Sequence, residues 1–419
     1  MGNKKTVIVV GGGFAGINFV KKLDKDLFEV ILFDRLNHHQ FQPLFYQVAT
    51  SQIEPSSISF PLRHIFRGQK NVRIRLAEVL SVDPNAHKIQ TSIGEYGYDY
   101  LVLAMGCKTN FFGNQSISEH ALTLKTTYEA IGIRNHILQA FENIISAPES
   151  EKEALSNLVI VGAGPTGVEL AGAFAEIKKN VLPQDYPRID FSKFRIILIE
   201  GSKNTLNSMS DKAKATSYRY LQQMGIEIMT ETIVTHYDGE TLALNNGTTI
   251  RTKSLIWAAG VTANTIQGLP ESCLAPGGRV KVDRINRPVG CKNDIFVLGD
   301  MALMETPKYP KGHPQLANVA INQALNLAKN MKKIETGKAT KEYEYRDLGA
   351  MATVGRNKAI VDLPFLKFTG FPAWVVWMFL HLMLILSVRN KLIIFINWAW
   401  AYITKDSALR LILTQPGKK

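Results

Sequence analysis

Cysteine is scarce. The 419 residues hold three, Cys107, Cys273 and Cys291, set in separate stretches with no C-x-x-C among them. That excludes a disulfide framework and fits a reducing compartment. No histidine stands at metal-ligand spacing either. His38 and His39 are adjacent, so their side chains face apart, and no metal is expected. An apolar leader is also missing, because a strand pattern starts already at Thr6; for the same reason MGNKKT, which fits the myristoylation pattern, is not expected to work as a free lipid arm. There is no short-period repeat and no series of membrane-spanning runs, so the chain offers no route for pumping ions.

Charge is not balanced, but neither is it spread evenly. The net charge is +13, and residues 331–419 carry 14 Lys and Arg against 6 Asp and Glu, or +8 in the last fifth. An even basic surface would point to nucleic acid. Basic residues interleaved with Trp, Phe and Leu at one end point instead to an anionic membrane surface. At this length two or three domains are expected.

What the chain does have is glycine in a telling place. TVIVVGGGFAG runs a β-branched strand into Gly11, Gly13 and Gly16, the G-x-G-x-x-G spacing. Its glycines permit a tight turn, close approach of a pyrophosphate, and close packing of the next helix, which should begin near Phe14 and Ala15 with its amides toward the phosphates. EVILFDR then places Asp34, followed by Arg35, 23 residues after Gly11, where a ribose-binding acid belongs. The opening repeats in NLVIVGAGPTGVELAGAFAE, with Gly162, Gly164, Pro165, Thr166 and Gly167, and RIILIEGS ends in Glu200. The 38 residues from Gly162 to Glu200 include KKNVLPQDYPRIDFSKF, read as an insertion that lengthens the helix and adds a loop. An acid at position 200 favours NADH over NADPH.

Residues 72–103 read as a small antiparallel excursion returning to a buried strand at Tyr100–Ala104. Residues 226–260 repeat that plan, 127–145 form an amphipathic helix, and APESEKEAL reads as a polar linker. CKNDIFVLGDMA caps a strand with Gly299 and Asp300, where a carboxylate could reach a cofactor's polyol chain. In the tail, 371–388 would make a helix of ~27 Å and the next twelve apolar residues one of ~18 Å, split by Arg389 and Lys391. The second is too short to span a bilayer, so two helices lying on the membrane surface are expected; a buried dimer core is the other reading.

HHQFQPLFYQVAT, LVLAMGCKTNFFG, VGAGPTGVELAGAFAE, WAAGV and the Trp-rich tail, with both glycine motifs and IFVLGD, resemble the two-dinucleotide flavoprotein reductases and, within them, the type II NADH:quinone oxidoreductases, over nearly the whole chain. The resemblance implies an α/β fold of two Rossmann-like domains and a membrane-associating C-terminal helical region. Its boundaries would be 1–112 with 265–330 for FAD, 113–264 for NADH, and 331–419 for the tail. It implies FAD held by Gly11–Gly16, Asp34, Arg35, Pro43, Gln47, Ala104, Gly106, Gly299 and Asp300, and NADH held by Gly162–Gly167, Glu200 and Gly260. Glu169 matches a family glutamate near nicotinamide and flavin; from the residues alone it could equally complement the helix dipole. The family's Ala-Gln-x-Ala-x-Gln-Gln stretch on the quinone side is here Ala317, Asn318, Val319, Ala320, Ile321, Asn322 and Gln323, two glutamines each shortened by a methylene. Asn318 and Asn322, four apart, share a helical face.

The activity implied is transfer of two electrons from NADH through FAD to a membrane quinone, ubiquinone or menaquinone, without ion pumping. A homodimer resting on the cytoplasmic face of a bacterial inner membrane is expected. Two other readings are a sulfide:quinone oxidoreductase, which would need a cysteine pair beside the flavin, and a membrane-tethered flavoprotein redox sensor.

Overall fold

The computed structural model describes residues 4–406 and 409–413. The chain divides into two compact units. One comprises residues 1–39, 60–108 and 261–346, the other 40–59, 109–260 and 347–419.

The first unit is built on a five-stranded parallel sheet in the order Ile295–Val297, Tyr100–Leu103, Lys5–Val10, Phe28–Asp34, Val72–Leu76. Val7 and Val9 face one core and Ile8 and Val10 the other, all almost inaccessible. A strand covered on both faces needs an unbroken apolar run rather than alternation, which is why Thr6–Val10 reads as it does. The segment Val72–Leu76, expected in an antiparallel excursion, is instead the parallel edge strand of this sheet. The antiparallel part is confined to Val79–Asp83, Lys88–Thr91 and Gly94–Gly97. Both patterns alternate, and an exposed edge alternates for the same reason as a meander.

The second unit repeats the design. Its parallel sheet runs Leu122–Thr123, Ser254–Trp257, Asn157–Val161, Arg195–Ile199, Glu227–Met229, and its meander is Val234–Tyr237, Thr241–Leu244 and Thr249–Arg251. The amphipathic helix is Thr127–Ser146, capped by the Thr126 hydroxyl on the Glu129 amide. APESEKEAL is not a linker: Glu149–Ser156 is helical, with Glu149 and Glu151 in its first turn and Ala154 and Leu155 buried. Acids at a helix N-terminus and good helix formers outweigh the polar composition. The helix Pro165–Asn180 is indeed lengthened, and the insertion adds the short helix Leu182–Asp185.

A third antiparallel sheet, Ala350–Gly355, Lys358–Asp362 and Lys367–Gly370, leads into two tail helices. They are Phe371–Leu384 and Val388–Thr404. The first is shorter than the apolar run suggested, because Ile385 turns into the core with an extended backbone; at 14 residues it measures ~21 Å. Among the described residues no helix is long and apolar enough to cross a membrane. Ala373, Trp377, Asn390, Ile394 and Trp398 are the buried residues of these helices, spaced four apart along each, and the opposite faces expose Phe379, Val388, Leu392, Phe395, Ile396 and Ile403.

Candidate functional site

Both glycine loops are built alike. Gly11 and Gly162 take φ of +106° and +102°, and a Cβ on either would overlap the backbone of Ala104 or Ala258. The helices Phe14–Lys22 and Pro165–Asn180 start at Gly13 and Gly164 with no side-chain cap, leaving N-terminal amides for a ligand, and beside both glycines a Cβ would meet open space. Ala15 and Gly16 are buried behind the turn, whereas Pro165 and Thr166 are exposed. The acids perform matching tasks. Asp34 accepts hydrogen bonds from the Gly12 amide at 2.5 Å and the Leu36 amide at 2.7 Å. Glu200 accepts them from Ala163 at 2.7 Å and Ser202 at 2.8 Å. Burial raises the Asp34 carboxyl above its ordinary value, opposed by those amides. Arg35 is exposed and pairs with Glu78 at 3.6 Å.

Around the first loop, Ala104 is buried at the end of its strand and Gly106 turns with φ +68°. Cys107 donates its thiol hydrogen to Asp300 Oδ2 at 2.9 Å. The Gly299 amide donates to Gln323 Oε1 at 2.8 Å. That bond, with the full burial of Gln323 and Val319, corrects the expectation for the helix Ala317–Glu335: those two residues belong to the core. Ala317, Asn318 and Asn322 remain partly accessible, and the Asn322 amide donates to Asn318 Oδ1 at 2.6 Å, so the two asparagines form one unit. Cys273 and Cys291, although set in separate stretches, influence each other's ionisation, and burial raises both thiols. His39 is buried, its Nδ1 3.1 Å from the Gly12 carbonyl oxygen.

In the second unit the Pro165 helix carries Glu169 into a cleft of about 90 Å³ lined also by Tyr46, Gln47, Glu176, Trp377 and Trp398. Gly172 makes this wall possible: a Cβ there would sit 1.6 Å from the Val354 carbonyl oxygen, so the hairpin 350–355 lies directly on the helix. The Thr353 amide thereby reaches Glu169 Oε1 at 3.3 Å. Burial pushes the Glu169 carboxyl up to about 8, against the opposing pull of the Thr353 amide and Trp377. Gln47, in the same unit as Pro43, accepts from Trp398 Nε1 at 2.8 Å and donates to the Tyr46 hydroxyl at 2.9 Å. Asn390 donates to the carbonyls of Ser56 and Ser57 at 3.1 and 2.9 Å. The tail helices therefore wall the cleft, which their apolar composition did not reveal. Glu176 was also missed, although a second acid two turns beyond Glu169 on an otherwise apolar helix is a readable signal. Gly260 turns with φ +70°, where an added Cβ would overlap the Phe112 ring.

Residues 5–324 match the pyridine nucleotide-disulphide oxidoreductase family, and the chain is a member of that class. Residues 348–405 match the NDH2 C-terminal domain. The type II NADH:quinone oxidoreductase Ndh of Mycobacterium tuberculosis is 34% identical over 417 residues, covering 95% of this chain and 88% of the relative. The mitochondrial internal alternative NAD(P)H-ubiquinone oxidoreductase A1 of Arabidopsis thaliana is 29% identical, covering 96% and 85%. The structure of Plasmodium falciparum NDH2 in complex with NADH superposes with a TM-score of 0.91 at 21% identity, covering 98% of this chain and all of that one. The sulfide:quinone oxidoreductase of Aquifex aeolicus gives 0.73 at 19%, covering 99% and 100%. The chain belongs to the type II NADH:quinone oxidoreductases.

Proposed function

We propose that the first unit holds FAD, the second binds NADH, and the chain passes two electrons from NADH to a membrane quinone. Bound FAD supplies a carrier that takes a hydride from one substrate and delivers electrons and protons to the other. The observation that carries the reading is the duplicated sheet and glycine loop, each with an acid folded onto it, together with the buried Glu169 carboxyl in the cleft of the second unit. Gly11, Gly13, Phe14, Ala15, Gly16, Asp34, Arg35, Ala104, Gly106, Gly299 and Asp300 would hold FAD; Pro43 and Gln47, which the resemblance adds to this set, lie in the second unit. Gly162, Gly164, Pro165, Thr166, Gly167, Glu200 and Gly260 would hold NADH. Alignment of the two rings matters more here than any acid or base. Quinone reduction does consume protons, and Glu169, neutral at pH 7, is a donor at hand. Asn318 and Asn322 supply the accessible polar face for the quinone side, with Ala317 next to them and Val319 and Gln323 behind.

The exposed apolar faces of the tail helices, with Arg389 and Lys391 in the first turn of the second, suit an anionic bilayer surface better than water. We place the chain as a homodimer on the cytoplasmic face of the bacterial inner membrane, docked there through its tail. The test is the flavin content of purified protein and its turnover of NADH against NADPH with ubiquinone and menaquinone analogues. One FAD per chain and sustained NADH turnover are expected. A single reduction without turnover would make it a sensor, and reduction by sulfide rather than NADH would overturn the assignment.

A further inference from the structure

The cleft contains a second carboxyl with no part yet in the reaction. Glu176 lies two helical turns beyond Glu169, about 10 Å along the axis, and Glu169, Ala173, Glu176 and Asn180 line the cleft in one row. Ala173 puts only a methyl between the two acids. The same hairpin grips both: the Thr353 amide donates to Glu169 and the Arg356 amide to Glu176 Oε1. Tyr46 lines the same cleft, a buried side chain whose ionisation is opposed first by burial and then by the charges of Glu169 and Glu176. Its hydroxyl accepts from Gln47, so its own hydrogen is left to turn toward either acid. The cleft has room for several waters, and three at hydrogen-bond spacing cover about 10 Å.

Proton balance asks for such a route. Each NADH yields one hydride, that is two electrons and one proton, whereas a quinone needs two electrons and two protons. One proton per turnover must therefore come from solvent. We propose that Glu176 and Tyr46 form the outer half of a proton path that refills Glu169 from solvent after each quinone reduction. Glu176 faces Arg356 and Lys358 on the hairpin, and Lys405 and Asp406 line the cleft from the tail. The cations favour the ionised acid, yet burial outweighs them and holds its pKa above the ordinary value. Glu176 touches no substrate and acts through Glu169.

This inference rests on the reading that the cleft serves quinone reduction, and the experiment separates the two. Anaerobic stopped-flow measures flavin reduction by NADH and then flavin reoxidation by a short-chain, water-soluble ubiquinone analogue, for Glu176→Gln, Tyr46→Phe and Glu169→Gln. Glu176→Gln should reduce its flavin within twofold of the parent rate and reoxidise at least tenfold more slowly at pH 8. Added imidazole buffer should restore the rate, and the solvent deuterium isotope effect should rise. Tyr46→Phe should slow reoxidation about threefold. Parent rates and isotope effects in both, with Glu169→Gln slow, would overturn the path and leave the cleft reading standing. Parent rates in all three would overturn both. A loss in Glu176→Gln that buffer does not restore would make Glu176 a brace for the hairpin and also overturn the path. If Glu176→Gln does not fold, Tyr46→Phe decides alone, since it leaves the Arg356 contact intact.

Discussion

Replacing Glu169 by glutamine should stabilise the protein at alkaline pH and do almost nothing at acid pH. The carboxyl sits in the folded chain with a pKa near 8 against an ordinary 4.5, because burial disfavours its charge. At ~1.4 kcal/mol per pH unit, that gap amounts to ~5 kcal/mol. Below pH 4.5 the acid is neutral whether folded or not, and the protein pays nothing. Between pH 4.5 and 8 the unfolded chain releases the proton while the folded chain keeps it, so folding stability declines as pH rises. Above pH 8 the whole penalty is present. A glutamine cannot ionise, fills the same space and can still accept the Thr353 amide. Melting of parent and variant from pH 4 to 9 should thus give nearly coincident Tm values at pH 4 and a gap on the order of 10 °C in favour of the variant by pH 9. The infrared carbonyl band of a protonated carboxyl should disappear from the variant at pH 6. A Tm difference that does not change with pH would refute the argument, since only a titrating group can produce the slope.

Gly172→Ala should displace the hairpin from the Pro165 helix, because the added carbon would lie 1.6 Å from the Val354 carbonyl oxygen; a loss of several kcal/mol by denaturant titration is expected, and a neutral result would mean the hairpin yields freely. Glu200→Ala should raise KM for NADH roughly 10- to 100-fold, from the lost charge-assisted bond to the Ala163 amide of the glycine loop, and the steady-state KM tests it. Truncation after Lys367 should abolish turnover even with short-chain quinones, because Trp377 and Trp398 leave the cleft with the tail; retained turnover would show that the tail only anchors. Phe379→Ser with Phe395→Ser should weaken binding to anionic vesicles in a sedimentation assay while sparing turnover of a soluble quinone, as both rings face outward.

The sheets were readable because strands buried on both faces must be apolar throughout, and because a glycine loop followed by an acid leaves few alternatives. Val72–Leu76 was misplaced for want of any sign of its partner: register and neighbour are not written into an edge strand. The helical Glu149–Ser156 shows local propensity prevailing over a polar composition. The cleft was the least legible part. Glu169 was located by resemblance, but its burial depends on Gly172, Trp377 and Trp398, residues up to 229 positions away whose meeting is a matter of tertiary packing. Val319 and Gln323 were assigned to the quinone side by their places in a motif, and only packing shows that one fills the core and the other holds Gly299.

Each tail helix has one face on the cleft and one facing out, and a helix is about 10 Å across. Trp377 and Phe379 therefore mark the two sides of a partition only one helix thick. With lipid on the outer side, a quinone ring would travel little more than that thickness to arrive, and its isoprenoid chain would never have to leave the acyl layer. Chain length would then set how long a quinone lingers in the membrane without changing the work of entering the protein, so a single cleft could serve quinones with tails of very different lengths.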